Sequence, residues 1–79
     1  MKILVKYFAS FKELTGKTQE SIQIEKGKTT KDLLEIIMKK YNFKDNVNIV
    51  IALNQEYIKT DILLKDGDEV AIMMPSSGG

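Results

Sequence analysis

Cysteine, histidine, arginine and tryptophan are all missing from this 79-residue chain, and there is a single proline. Without cysteine there are no disulfides, thiolate metal sites, iron–sulfur ligation or cysteine nucleophiles. Without histidine, the commonest general base and the commonest metal ligand are gone together. A self-contained active site is therefore not expected, and no metal is. All twelve basic residues are lysines. Arginine is the bidentate reader of phosphate and guanine, so its absence, with a net charge of only +1, argues against nucleic acid as a partner. No apolar run nears the roughly 20 residues that a membrane-spanning helix needs. Lys6 interrupts the N-terminal apolar stretch, and no small-residue cleavage site follows it, so a signal peptide is not expected either. The chain reads as a soluble, cytoplasmic protein.

What is present is enough for one small domain: 43% of residues are hydrophobic and 29% charged, and chains this short rarely divide into two cores. Ile3 to Phe8 is rich in β-formers, with Ile3, Val5 and Tyr7 on one face. Ala9 to Thr15, closed by Gly16, predicts one or two helical turns. Ser21 to Glu25 alternates as a half-buried strand should. A main helix is predicted from Thr29 or Thr30 to about Asn42. Thr29 is its N-cap and Asp32, at the third helical position, stands in for the usual Glu of a capping box. Leu33, Ile37 and Tyr41 form one apolar row on it and Leu34 and Met38 the next, with acids early and lysines late as the helix dipole favours. Ile49 to Leu53 is almost continuously apolar, which predicts a strand covered on both faces. Asn54-Gln55-Glu56 turns the chain into a short strand at Tyr57-Ile58, and Lys65-Asp66-Gly67-Asp68 is a further turn. Glu69 to Met74 is the last strand, ended by Pro75.

This order fits an α+β roll: a mixed sheet of about five strands, one long helix over one face and a short helix after the first strand. The helix stripe is expected to meet Ile3, Val5, Ile22, Ile24, Val70 and Ile72. Lys39 and Lys40 read as its wet side. Asp66 and Asp68 offer too few ligands for a metal. Charge is uneven: residues 1–44 hold ten lysines against five acids, and residues 45–79 two against six. The acidic half would steer the C-terminal tip toward a basic pocket, unless these are simply solvated turn residues.

The tail is the most informative segment. Gly78 and Gly79 have no Cβ, so a chain ending there can pass down a channel too narrow for side chains. From Pro75 to Gly79 an extended chain reaches at most roughly 17 Å. The expectation is a folded domain over residues 1–75 carrying a flexible tail over 76–79. A Ser-Ser-Gly-Gly segment is also ordinary linker composition. Ser76 and Ser77 have no histidine to activate them as nucleophiles. Phe8 and Met73, on the face away from the long helix, together with Met74, make a candidate partner interface beside the tail.

Three segments carry a resemblance. They are Tyr7-Phe8-Ala9-Ser10-Phe11-Lys12-Glu13-Leu14-Thr15-Gly16, then Ala52-Leu53-Asn54-Gln55, then Leu64-Lys65-Asp66-Gly67-Asp68-Glu69-Val70-Ala71 running on through Pro75 to Gly78-Gly79. Together they span essentially the whole chain, and it resembles the ubiquitin-like β-grasp family, most of all its sulfur carriers that serve as small subunits of molybdopterin synthase. That family often has two prolines before the tail; the first is Met74 here. The resemblance implies a β-grasp fold and a reactive group on Gly79. An ATP-using, E1-like enzyme would adenylate Gly79, and sulfur would then displace AMP to leave a thiocarboxylate. Residues Pro75, Ser76, Ser77 and Gly78 would thread it into the large subunit, where it sulfurates a pterin precursor during molybdenum cofactor biosynthesis. No cofactor would be bound by the small subunit itself. Three other functions fit the same outline: a carrier of the thiamine pathway, a protein modifier conjugated through Gly79, and an interaction module with an inert tail.

Overall fold

The computed structural model describes residues 1–43 and 48–75. The elements run β1 (Lys2–Tyr7), α1 (Ser10–Thr15), β2 (Gln19–Gln23), α2 (Thr30–Tyr41), β3 (Val50–Leu53), β4 (Glu56–Ile58) and β5 (Glu69–Met73). The sheet has five strands in the order β2-β1-β5-β3-β4. Only β1 and β5 are parallel, with Val5 opposite Val70 and Tyr7 opposite Ile72; the other pairs are antiparallel. The first and last strands thus lie side by side inside the sheet, and β2 and β4 are its edges.

The apolar face of this sheet and α2 make one core. Leu33 and Ile37 are fully buried among Ile3, Val5, Ile22, Ile24, Val70 and Ile72, the set the sequence predicts. Burial of such side chains, each contributing about 1.5–3 kcal/mol, is the main driving term. The α2 cap is a full capping box. Thr29 Oγ1 accepts from the Asp32 N–H at 3.3 Å, and Asp32 Oδ2 accepts from the Thr29 N–H at 2.9 Å. Asp61 adds a second carboxylate there, accepting from the Lys31 N–H at 2.9 Å and from the buried Thr30 hydroxyl at 3.0 Å. The Lys31 N–H, then the neighbouring hydroxyls, hold Asp61 below the usual carboxylate range. Helix α1 is closed by Gly16 at φ 73°, a left-handed cap that glycine reaches without steric cost.

One local reading is corrected, and another, the exposed lysines at the end of α2, is extended. The second strand is Gln19–Gln23 rather than residues 21–25, because β1 continues to Lys6 and pairs with Gln19 despite that segment's polarity. Lys40 is no idle solvated lysine. Its Nζ lies 2.8 Å from Glu20 Oε1, with Lys17 Nζ at 3.3 Å from the same oxygen. The phenols of Tyr7, at 2.6 Å, and Tyr41 both donate to Glu20 Oε2. One carboxylate thereby ties β1, β2 and the end of α2 together. Burial alone would raise the Glu20 pKa, but the hydrogen bonds from Lys40, Tyr41, Tyr7 and Lys17 outweigh it and hold the group at about 2. Burial, then the Glu20 carboxylate, pushes the Tyr7 phenol well up.

Because the folded pKa of Glu20 lies below its ordinary 4.5, its contribution is complete above that pH and is lost as pH falls toward 2. Glu20→Gln is expected to cost about 1–3 kcal/mol at neutral pH. It should also flatten the loss of stability between pH 4.5 and 2. Thermal melts of both proteins across that range check this; parallel pH profiles would refute it.

Candidate functional site

Side chains of alternate parity leave the core and populate the other face of the sheet, which no helix among the described residues covers. Pairing puts Lys6, Ala71, Ala52 and Tyr57 in one row across β1, β5, β3 and β4, with Met73 and Val50 in a parallel row. Phe8 follows β1, and its N–H donates to the Ile72 carbonyl at 3.2 Å. The next residue, Ala9, has φ 49° and ψ −123°, a strained conformation for a residue with a Cβ. This kink turns the chain from β1 into α1 directly after Phe8. The structure therefore brings Phe8 and Met73 together, as lining of a shallow hollow of about 270 Å³ floored by Ala52 and Ala71.

The expected double coverage of β3 is not what makes it apolar. Ile51 and Leu53 pack on the core, while Ala52 looks out onto the open face and is buried only because larger neighbours flank it. The patch is Phe8, 47% exposed, Tyr57, 73% exposed, and the half-buried Met73 and Val50; Met74, 42% exposed, follows β5 with the parity of Val70 and Ile72. Tyr57 was not among the sequence candidates. Its signal lay in the strand alternation, since it sits opposite Ala52. Exposed aromatics and methionines in one apolar patch are the composition of a partner interface. The Lys6–Glu69 ion pair, 3.3 Å long, borders it.

Pro75 is exposed and follows β5 at the Met73 end of this patch. Ser76, Ser77, Gly78 and Gly79 lie outside the described residues. Among the described residues, the acids beside β5 do not crowd this end. Glu56, Asp66, Asp68 and Glu69 gather about the start of β5, where Asp66 accepts from the Lys2 N–H and Asp68 from the Lys65 N–H and the Asn54 amide. Asp66 and Asp68 shape turns there. Among the described residues no group of acids has the arrangement of a metal site, and no helix is long and apolar enough to cross a membrane.

The model of the ThiS family matches residues 5–79. A molybdopterin synthase sulfur carrier subunit from Chlamydomonas reinhardtii is 43% identical to the chain, with both aligned over their full lengths. A solved structure from Pyrococcus furiosus, described as molybdopterin converting factor subunit 1, is 38% identical with a TM-score of 0.86, covering 95% of this chain and 98% of that one. A protein–protein complex of subunits 1 and 2 of molybdopterin-converting factor from Helicobacter pylori contains a chain 28% identical with a TM-score of 0.72, each chain fully covered.

Proposed function

The chain belongs to the ThiS family, and on that premise we propose that it is the sulfur carrier subunit of a molybdopterin synthase. The match supporting this runs through Gly79, the residue that the chemistry needs. A carboxylate resists nucleophiles because it is anionic and its leaving group would be oxide. In the proposed cycle an E1-like enzyme joins the Gly79 carboxylate to the α-phosphate of ATP, releasing pyrophosphate. A sulfur nucleophile then displaces AMP and leaves a thiocarboxylate. That sulfur is polarizable and strongly nucleophilic. Delivered into the large subunit, it attacks the pterin precursor, and Gly79 returns to a carboxylate on hydrolysis.

Division of labour follows from composition. With no histidine or cysteine in the chain, general base and substrate pocket come from the large subunit, while the small one supplies reagent and docking surface. The domain of residues 1–75 docks through Phe8, Met73, Met74 and Tyr57, and residues 76–79 enter the partner. The setting proposed is the cytoplasm, where the ATP-using loading step takes place.

The reading is tested by the intact mass of the protein after incubation with an activating enzyme, ATP and a sulfur donor. Replacement of one oxygen by sulfur at Gly79 supports a carrier. Isopeptide-linked conjugates retaining Gly79, with no such replacement, support a protein modifier instead. For the docking face, Phe8→Ala is expected to weaken binding to the large subunit about tenfold or more, as loss of a central aromatic anchor does, with little change in melting temperature. Unchanged affinity in a titration would remove Phe8 from the interface.

A further inference from the structure

The chain's only side-chain sulfurs are its four methionines, and they divide into two kinds by place. Met1 and Met38 pack against the core. Met73 ends β5 on the open face, beside Phe8 in the alanine-floored hollow, and Met74 follows it, 42% exposed. A thioether there is apolar and adaptable, which suits an interface. It is also oxidisable, and its sulfoxide is polar and bulkier.

We propose that Met73, on the open face, and the exposed Met74 next to it form a reversible oxidation site that turns the docking face off. Peroxide transfers one oxygen atom to the thioether: an S–O bond forms, the O–O bond breaks and water leaves. The sulfur is oxidised and the peroxide reduced. A sulfoxide at Met74 places a strong dipole where the partner must bury an apolar surface, and burying it without a hydrogen-bond partner opposes docking. Thiol-dependent sulfoxide reductases reverse the step. The free carrier is the vulnerable form, because a docked partner covers both residues. Without a cysteine in the chain, the usual thiol sensor has no counterpart, and methionine takes that place.

This inference rests on the docking face assigned above, and the test separates the two. The purified carrier is treated with hydrogen peroxide, mapped by peptide mass, and titrated into its large subunit. Oxygen is expected on the exposed Met74 well before the half-buried Met38, with affinity falling about tenfold or more and recovering after sulfoxide reductase. Comparable oxidation of Met38 and Met74, or affinity unchanged by oxidation at Met74, overturns the proposal. The double variant Met73→Leu, Met74→Leu, whatever its own affinity, should lose its response to peroxide; a retained response places the sensitive group elsewhere and also overturns it. Failure of the untreated carrier to bind at all removes the docking reading, and this inference with it.

Discussion

A carrier truncated after Ser77 is expected to support no sulfuration of the pterin precursor, while melting within about 2 °C of the full chain. The loss is total because the reacting carbonyl itself is gone. Stability survives because the buried core draws on residues up to Ile72 and no further among those described. A chain carrying one extra alanine after Gly79 should be equally inactive, because its carboxylate then lies on the wrong residue. Sulfuration assays with activating enzyme, ATP and sulfur donor, run beside thermal melts, check both. Activity surviving in the truncated protein would end the carrier assignment, and a large fall in melting temperature would show that the tail belongs to the fold.

The largest effect on stability is expected at Phe11. It is the one buried residue of the six-residue α1, has no exposed surface, and meets the Phe43 ring at 5.2 Å between centroids. A helix of that length has too few hydrogen bonds to stand alone, so this side chain is what fixes it to the sheet. Phe11→Ala is expected to cost about 3–5 kcal/mol, lowering the melting temperature by roughly 15–30 °C. In a domain of ordinary marginal stability that is a large share of the total. Denaturant unfolding measures it; a cost below about 1 kcal/mol would mean that the site collapses around the void. Because α1 begins two residues after Phe8, the same variant should also weaken docking.

Features written in neighbouring residues were the legible ones. The α2 cap needs only Thr29 and Asp32, three residues apart, and its stripe recurs at helical spacing, so the start of the helix and its buried face followed directly. The strand order and the Gly-Gly end likewise pointed to the β-grasp outline. Contacts between distant segments were not legible. Glu20 meets Lys40 and Tyr41 across twenty and twenty-one residues, and nothing local marks it. The same holds for Asp61 at the start of α2, thirty residues from Lys31. The uneven charge is harder to read because a count along the chain ignores direction: the described acids beside β5 gather at its start, not at its Met73 end. The apolar run at β3 misled for a more useful reason. A strand facing a second layer and a strand facing a future partner bury similar side chains and read alike in one dimension.

The parallel pairing of β1 with β5 has a consequence for synthesis. A nascent chain lacking β5 leaves a gap in mid-sheet, between β1 on one side and β3 on the other. The ribosome must release the chain as far as β5 before that gap fills. The open-face row through Lys6, Ala71 and Ala52 is assembled by the same event. Products terminated before β5 therefore lack the middle strand of the sheet, and the strand order withholds a complete open face from unfinished chains.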